Sequence, residues 1–342
     1  KQVFNHEKEV NEEVSMMNHK ERVIAAVNHK EVFPVPYSIS FTSEEAEKVG
    51  EYLKDADFRS KIGNHIDSVG LIPEVTTVKP GYVKDAFGVV WNRTIDKDIG
   101  VVDQYLIPEP EKKYIRLSQP DLDFVDESIK RLLVMPGENF LIVDIGFSMF
   151  ERAWTLCGME NLLMWMVTDG NFVHALLDAI CDYNMEIIQR ALQYPIDCFM
   201  FGDDWGQQKG QIMGPTYWRV KRMYKAVKDA GKFVCQHSCG DIQALFPDLI
   251  DAGLDIYQTF QPEIYDMAKV KEEYGSSLTF WGGISTQHFL PFAAPEEIKV
   301  KVNETIALLG KRGGYIVAPT HSMPKDIPVQ NVLALIDALQ NQ

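Results

Sequence analysis

A (β/α)8 TIM barrel of the α/β class is the fold this sequence predicts, on three observations. Strand-like and helical segments alternate strictly from residue 141 onward, successive strand ends carry polar groups, and a chain of 342 residues suits one large α/β domain. The strand segments lie at 141–147, 197–202, 232–237, 255–260, 278–283 and 315–318. Helical segments lie between and around them at 159–168, 171–193, 216–230, 241–252, 264–274, 295–311 and 328–340. Parallel neighbours need a long crossover, and a helix between each pair of strands supplies it. A doubly wound parallel sheet is the alternative that the same alternation allows.

Residues 1–15 are acidic and polar with no apolar face, and they read as a flexible N-terminal arm ahead of a single barrel domain at 16–342. A helix then opens at Asn18, where Glu21 completes a capping box and Val23, Ile24 and Val27 recur at helical spacing. It ends near Pro34-Val35-Pro36, and a first barrel strand is expected at 37–41. Residues 42–140 are the least regular. Segments 75–78, 88–93 and 104–107 alternate as short antiparallel strands, with Pro and Gly between them. They predict a strand-containing excursion near a barrel mouth, and one further strand hidden in this region would complete eight.

The formal charge of −15 excludes a duplex nucleic-acid binder or an anionic-membrane protein, both of which present clustered Lys and Arg. No secretory signal or run of about 18 apolar residues appears. Cys157, Cys181, Cys198, Cys235 and Cys239 form an odd set spread through core-like segments, which fits a reducing cytoplasm better than a disulfide framework.

Barrel active sites gather at the C-terminal ends of the strands. Those positions here hold Glu151-Arg152-Ala153-Trp154, Asp203-Asp204-Trp205-Gly206-Gln207, His237-Ser238-Cys239, Gln261-Pro262-Glu263 and Pro319-Thr320-His321. His237 and Cys239 share one side of their strand, with Cα atoms roughly 6–7 Å apart, so an imidazole and a thiol converge as zinc ligands do. Such a pair also occurs as simple packing. His321, at the end of a different strand, is the third candidate ligand, and it can equally serve its loop. Glu151, Asp203 and Asp204 are candidates for a fourth ligand or for partners that orient an imidazole. Glu151 and Arg152 can instead pair with each other, and Asp203 or Asp204 can cap the following helix. Cys235 lies deeper on the strand and reads as core, and His6, His19, His29, His65 and His174 read as solvated.

These residues resemble the uroporphyrinogen decarboxylase superfamily, and within it the cobalamin-dependent methyltransferase branch. The resemblance runs from Lys20-Glu21-Arg22-Val23 and Val35-Pro36 through Phe150-Glu151-Arg152-Ala153-Trp154, Gly202-Asp203-Asp204-Trp205-Gly206, His237-Ser238-Cys239-Gly240 and Trp281-Gly282-Gly283 to Ala318-Pro319-Thr320-His321. It implies the barrel fold and a zinc site of the form His-X-Cys plus a later Cys. This chain matches the first two positions and carries His321 at the third, which leaves the metal more positive than a thiolate would and disfavours the coenzyme M reaction. Members that decarboxylate uroporphyrinogen grip its carboxylates with an N-terminal arginine-rich segment. After Pro36 this chain has no arginine until Arg59, so a polyanionic substrate meets no clamp.

The resemblance therefore implies a zinc-dependent methyltransferase that moves a methyl group between a small methylated substrate, such as a methoxylated compound undergoing O-demethylation, and a separate corrinoid protein. The chain has no Asp-X-His-X-X-Gly corrinoid motif, so cobalamin arrives on that partner. Zinc held by His237, Cys239 and His321 polarises the substrate heteroatom. Glu151, Asp204 and Gln207 position or protonate the leaving group. Trp154, Asp203, Trp205 and Gln261 contact the substrate, with Phe280 a further pocket wall. A homodimer is also implied. Two alternatives stay open: a corrinoid-independent decarboxylase or lyase of a small acid, and a catalytically inactive zinc or corrinoid-binding module.

Overall fold

A computed structural model of the chain describes residues 17–73, 75–95, 97, 99–214 and 219–342. The expected arm at 1–15 lies outside the described residues, as do 215–218 at the predicted start of the 216–230 helix. The described residues fall into two compact units. One holds the chain up to Asp67 together with Pro136–Leu141 and Asp255–Gln342, the other Ser68–Met135 and Ile142–Leu254.

In the second unit, Ile142–Ile145, Cys198–Gly202 and Phe233–His237 run parallel side by side. Asp144 and Cys235 stand opposite Met200 from its two sides. Consecutive core positions such as Ile142 and Val143, or Val234 and Cys235, are fully buried, so both faces of these strands are covered. That is why the sequence shows continuous apolar runs here and no alternation. The crossovers are helices Phe150–Cys157, Met159–Thr168, Gly170–Ala191 and Val220–Asp229. Strands Thr76–Lys79, Tyr82–Lys84, Val90–Asn92 and Val101–Gln104 form a separate antiparallel sheet. The predicted strand at 104–107 sits three residues too far along. The chain beyond Gln104 leaves the sheet because the amides of Leu106 and Ile107 both donate to the Leu156 carbonyl. Helix Leu122–Leu133, not anticipated from the sequence, is capped by Asp121 and buries Val125, Ile129 and Leu132.

In the first unit, Ile256–Phe260, Thr279–Ile284 and Tyr315–Pro319 are parallel neighbours in that order. The capping box at Asn18 and Glu21 is present, and helix His19–Val27 follows it. The predicted strand at 37–41 reduces to two isolated parallel bridges, Tyr37 with Val317 and Phe41 with Met323. Between them the Asn64 side chain accepts from the Ile39 amide and donates to the Ile39 carbonyl, both at 2.9 Å, and so takes over the ladder bonds. Helix Ser43–Leu53, capped by Thr42, was hidden by its acidic exposed face. His65, read as solvated, is buried against Tyr37 and His19, and burial pushes its imidazole down to about 3. Among the described residues no helix is long and apolar enough to cross a membrane.

Candidate active site

His237 ends the strand Phe233–His237 and Cys239 lies just past it. Their Nε2 and Sγ atoms are 3.7 Å apart. Two ligands on one tetrahedral zinc, at ordinary Zn–N and Zn–S lengths, are separated by about 3.6 Å, so the pair fits a shared ion. Asp204 fixes this turn. Its Oδ1 accepts the Cys239 amide at 2.7 Å and stands 3.6 Å from His237 Nε2. Burial, then the Asp204 charge, raises the Cys239 thiol far above its ordinary range. The turn rests on a backbone crossing of two loops. Gly240 has φ +78°, and a Cβ there would stand 2.4 Å from the Gly206 carbonyl carbon. Only glycine fits that approach.

The acidic group beside this turn is built from the strand Cys198–Gly202 and the helix Phe150–Cys157. Asp203 is fully buried. Its carboxylate accepts the amides of Phe150 at 2.8 Å and Glu151 at 2.7 Å, and the Trp205 indole N–H at 2.6 Å. It thus caps the helix that carries Glu151, where a negative charge meets free N–H groups. The expected cap ran to the following helix. The structure aims it at the preceding one, because parallel neighbours bring those strand ends together. Burial, then the charges of Asp203 and Asp204, raises the Glu151 carboxyl to about 9. Burial also raises Asp203 to about 6, against the opposing pull of its N–H donors. Glu151 therefore carries the proton near neutrality and Asp203 stays ionised.

Asp203 and Trp205, the expected substrate contacts, lie beneath the helix that carries Glu151. Both are fully closed off, and they form the scaffold under Glu151. Trp154 is half-buried, edge-on to Phe147 at 6.1 Å. Gln207 is exposed on the Gly206–Gln207 and Gly210–Gln211 hairpin, and its carbonyl accepts the Asp241 amide at 2.8 Å. Arg152 pairs not with Glu151 but with Asp85, 2.7 Å away, and it stacks 3.9 Å from the Phe87 ring centroid.

In the other unit, Gln261 is half-buried and starts a turn with its carbonyl, which accepts the Ile264 and Tyr265 amides. Phe280 is core, fully buried and stacked on Phe260. His321 is exposed after strand Tyr315–Pro319. The loop is held through Thr320, whose hydroxyl meets Thr286 Oγ1 at 3.0 Å and whose carbonyl accepts the Thr259 hydroxyl.

Sequence reasoning missed Asp144, an acid inside the apolar strand Phe140–Ile145. Burial raises it to about 6 while the His237 charge lowers it. The signal was available as a lone carboxylate in Leu-Ile-Val-Asp-Ile. With Gly70, Trp91, Phe147 and Arg152 it lines an open cleft of 580 Å³.

The chain thus presents a parallel α/β scaffold with a His-X-Cys turn and a cluster of acids at its strand ends. The chain belongs to the uroporphyrinogen decarboxylase (URO-D) family, whose sequence pattern matches residues 83–342. It is 22% identical over 191 residues to a methylated-thiol–coenzyme M methyltransferase of Methanosarcina mazei, a match covering 55% of this chain and half the length of that relative. It is 24% identical over 262 residues to a uroporphyrinogen decarboxylase of Actinobacillus pleuropneumoniae, covering 70% of this chain and 67% of that one. A solved methyltransferase from Methanosarcina mazei has a similar fold, with TM-score 0.69 and 18% identity over 95% of this chain and 98% of that one. The family and the α/β fold are thereby shown.

Proposed function

We propose that this protein is a zinc-dependent methyltransferase that moves a methyl group between a small methylated substrate, a methoxylated compound in the leading case, and a separate corrinoid protein. The observation that carries the reading is the His237–Cys239 pair, whose 3.7 Å spacing suits one zinc, beside a protonated Glu151. Similarity in sequence to a methyltransferase supports methyl transfer as the reaction class. In this reading a closed (β/α)8 barrel forms a single domain over 16–342, and His321 is the third ligand. Cobalamin comes on the corrinoid partner, the protein works in the cytoplasm, and it pairs as a homodimer.

Zinc bound there supplies a Lewis acid for the substrate heteroatom. The chain's own residues do the rest. Glu151 holds a proton on its carboxyl at neutral pH and delivers it to the heteroatom left behind when the methyl group departs. Asp203 positions Glu151 by gripping its amide, so it acts through the helix and not on substrate. Asp204 holds the Cys239 amide and faces His237, which keeps both donors aimed at one point. Trp154, Gln207 and Gln261 are proposed to contact the substrate.

Metal analysis tests the site. Purified protein is expected to hold one zinc per chain, and Cys239→Ala and His321→Ala are each expected to lose it. Full retention in His321→Ala removes that residue from the ligand set. Turnover of a methyl donor with no corrinoid protein added would overturn the reaction itself in favour of a corrinoid-independent lyase.

A further inference from the structure

The cleft beside the acidic group has a wall that none of the roles above uses. Trp91 and Phe147 face it with rings 5.8 Å apart and edge-on, and Ile72, Pro73 and Val75 add further apolar surface. Phe147 holds its place with φ +51°, a left-handed conformation costly for a bulky residue. Of the cleft's two carboxylates, Asp85 is satisfied. It accepts the Phe87 and Val89 amides, the Trp91 indole N–H and the Arg152 guanidinium. Asp144 differs, since among the described residues its carboxylate has no hydrogen-bond partner. A Cβ at Gly70 would stand 3.8 Å from its Oδ1, so the glycine keeps the space before it open. Arg93 and Arg152 also line the cleft and balance the two acids, which removes the electrostatic reason for a cationic ligand. An apolar aromatic wall beside one unsatisfied acceptor suits a flat neutral ring bearing a donor.

We propose that this cleft binds a single-ring aromatic compound packed against the wall formed by Trp91 and Phe147, with a ring hydroxyl donating to Asp144. The proposal rests on the methyl-transfer reading for the fate of the bound molecule and names its substrate class, a phenolic methyl ether. The aromatic wall selects the ring, and Asp144 selects the hydroxylated ring over its fully methylated analogue.

Calorimetric titration of the full chain with 2-methoxyphenol and with 1,2-dimethoxybenzene tests this without any turnover. The first is expected to bind about 10-fold or more tightly than the second, the worth of a hydrogen bond to a charged group. Asp144→Ala is expected to bring the two within about 2-fold of each other, while Asp144→Asn, which keeps an acceptor but loses its charge, is expected to leave an intermediate preference of about 3- to 5-fold. Gly146→Leu places a side chain into the cleft where a Cβ meets nothing within 4 Å, and is expected to abolish binding of both with an unchanged circular dichroism spectrum. Equal affinities in the wild type, a preference that survives Asp144→Ala, or tighter binding of benzyltrimethylammonium than of either probe overturns the proposal. A wild type that prefers 2-methoxyphenol yet transfers no methyl group overturns the methyl-transfer reading and leaves the ring site standing. Methyl transfer from a thioether or amine with no ring preference does the reverse.

Discussion

Glu151 sits beside Asp203 and Asp204, and burial together with those like charges keeps its proton on. Its folded pKa lies above the ordinary 4.5, so the stability linked to it is full below pH 4.5 and is lost as pH rises toward 9. Glu151→Gln cannot ionise. Its melting temperature is expected to exceed that of the wild type at pH 8.5 and to converge with it below pH 4.5, and a constant gap across that range would refute the shift. In activity the same variant is expected to lose about 10²-fold or more in kcat, and wild-type kcat is expected to fall as pH passes 9. The acid itself was legible in the sequence because it follows a strand. Its protonation was not, since that depends on burial by distant segments and on the charge of Asp203, 52 residues away.

At the scale of elements, two contacts hold the site in place. The first is the loop crossing at Gly206 and Gly240. Gly240→Ala forces a positive φ and a backbone clash, and is expected to cost about 1–3 kcal/mol with lower zinc retention, read by urea unfolding and metal analysis. The second is the buried pair of Asp85 and Arg152, which ties the antiparallel sheet to the helix Phe150–Cys157. Asp85→Ala leaves Arg152 buried and unpaired. It is expected to cost about 3–5 kcal/mol in urea unfolding, whereas a surface pair such as Lys225–Asp229 is worth about 1 kcal/mol or less. The sequence placed Arg152 beside Glu151 and left their pairing open. Folding gave Arg152 a partner 67 residues earlier, in a region whose short strands were seen only approximately.

For the molecule as a whole, the proposed methyl transfer directs one expectation. Methyl transfer is expected only when a corrinoid protein is added, with a rate that saturates in that partner and with no turnover on free substrate alone. From residue 141 onward the helix–strand order was legible, because strand and helix patterning are local and repeat along the chain. The capping box at Asn18 and the His-X-Cys turn were legible for the same reason, each being set within four residues. Sequence by itself therefore determined the α/β class, the family resemblance and the position of His237 and Cys239 at a strand end. Only the tertiary structure decided that Asp203 and Trp205 are buried supports, that Arg152 belongs to Asp85, and that Asp144 opens on a cleft. Those outcomes depend on which distant segments approach closely enough to exclude water. That approach sets burial, hydrogen-bond partners and proton affinity together, and no short stretch of sequence carries it.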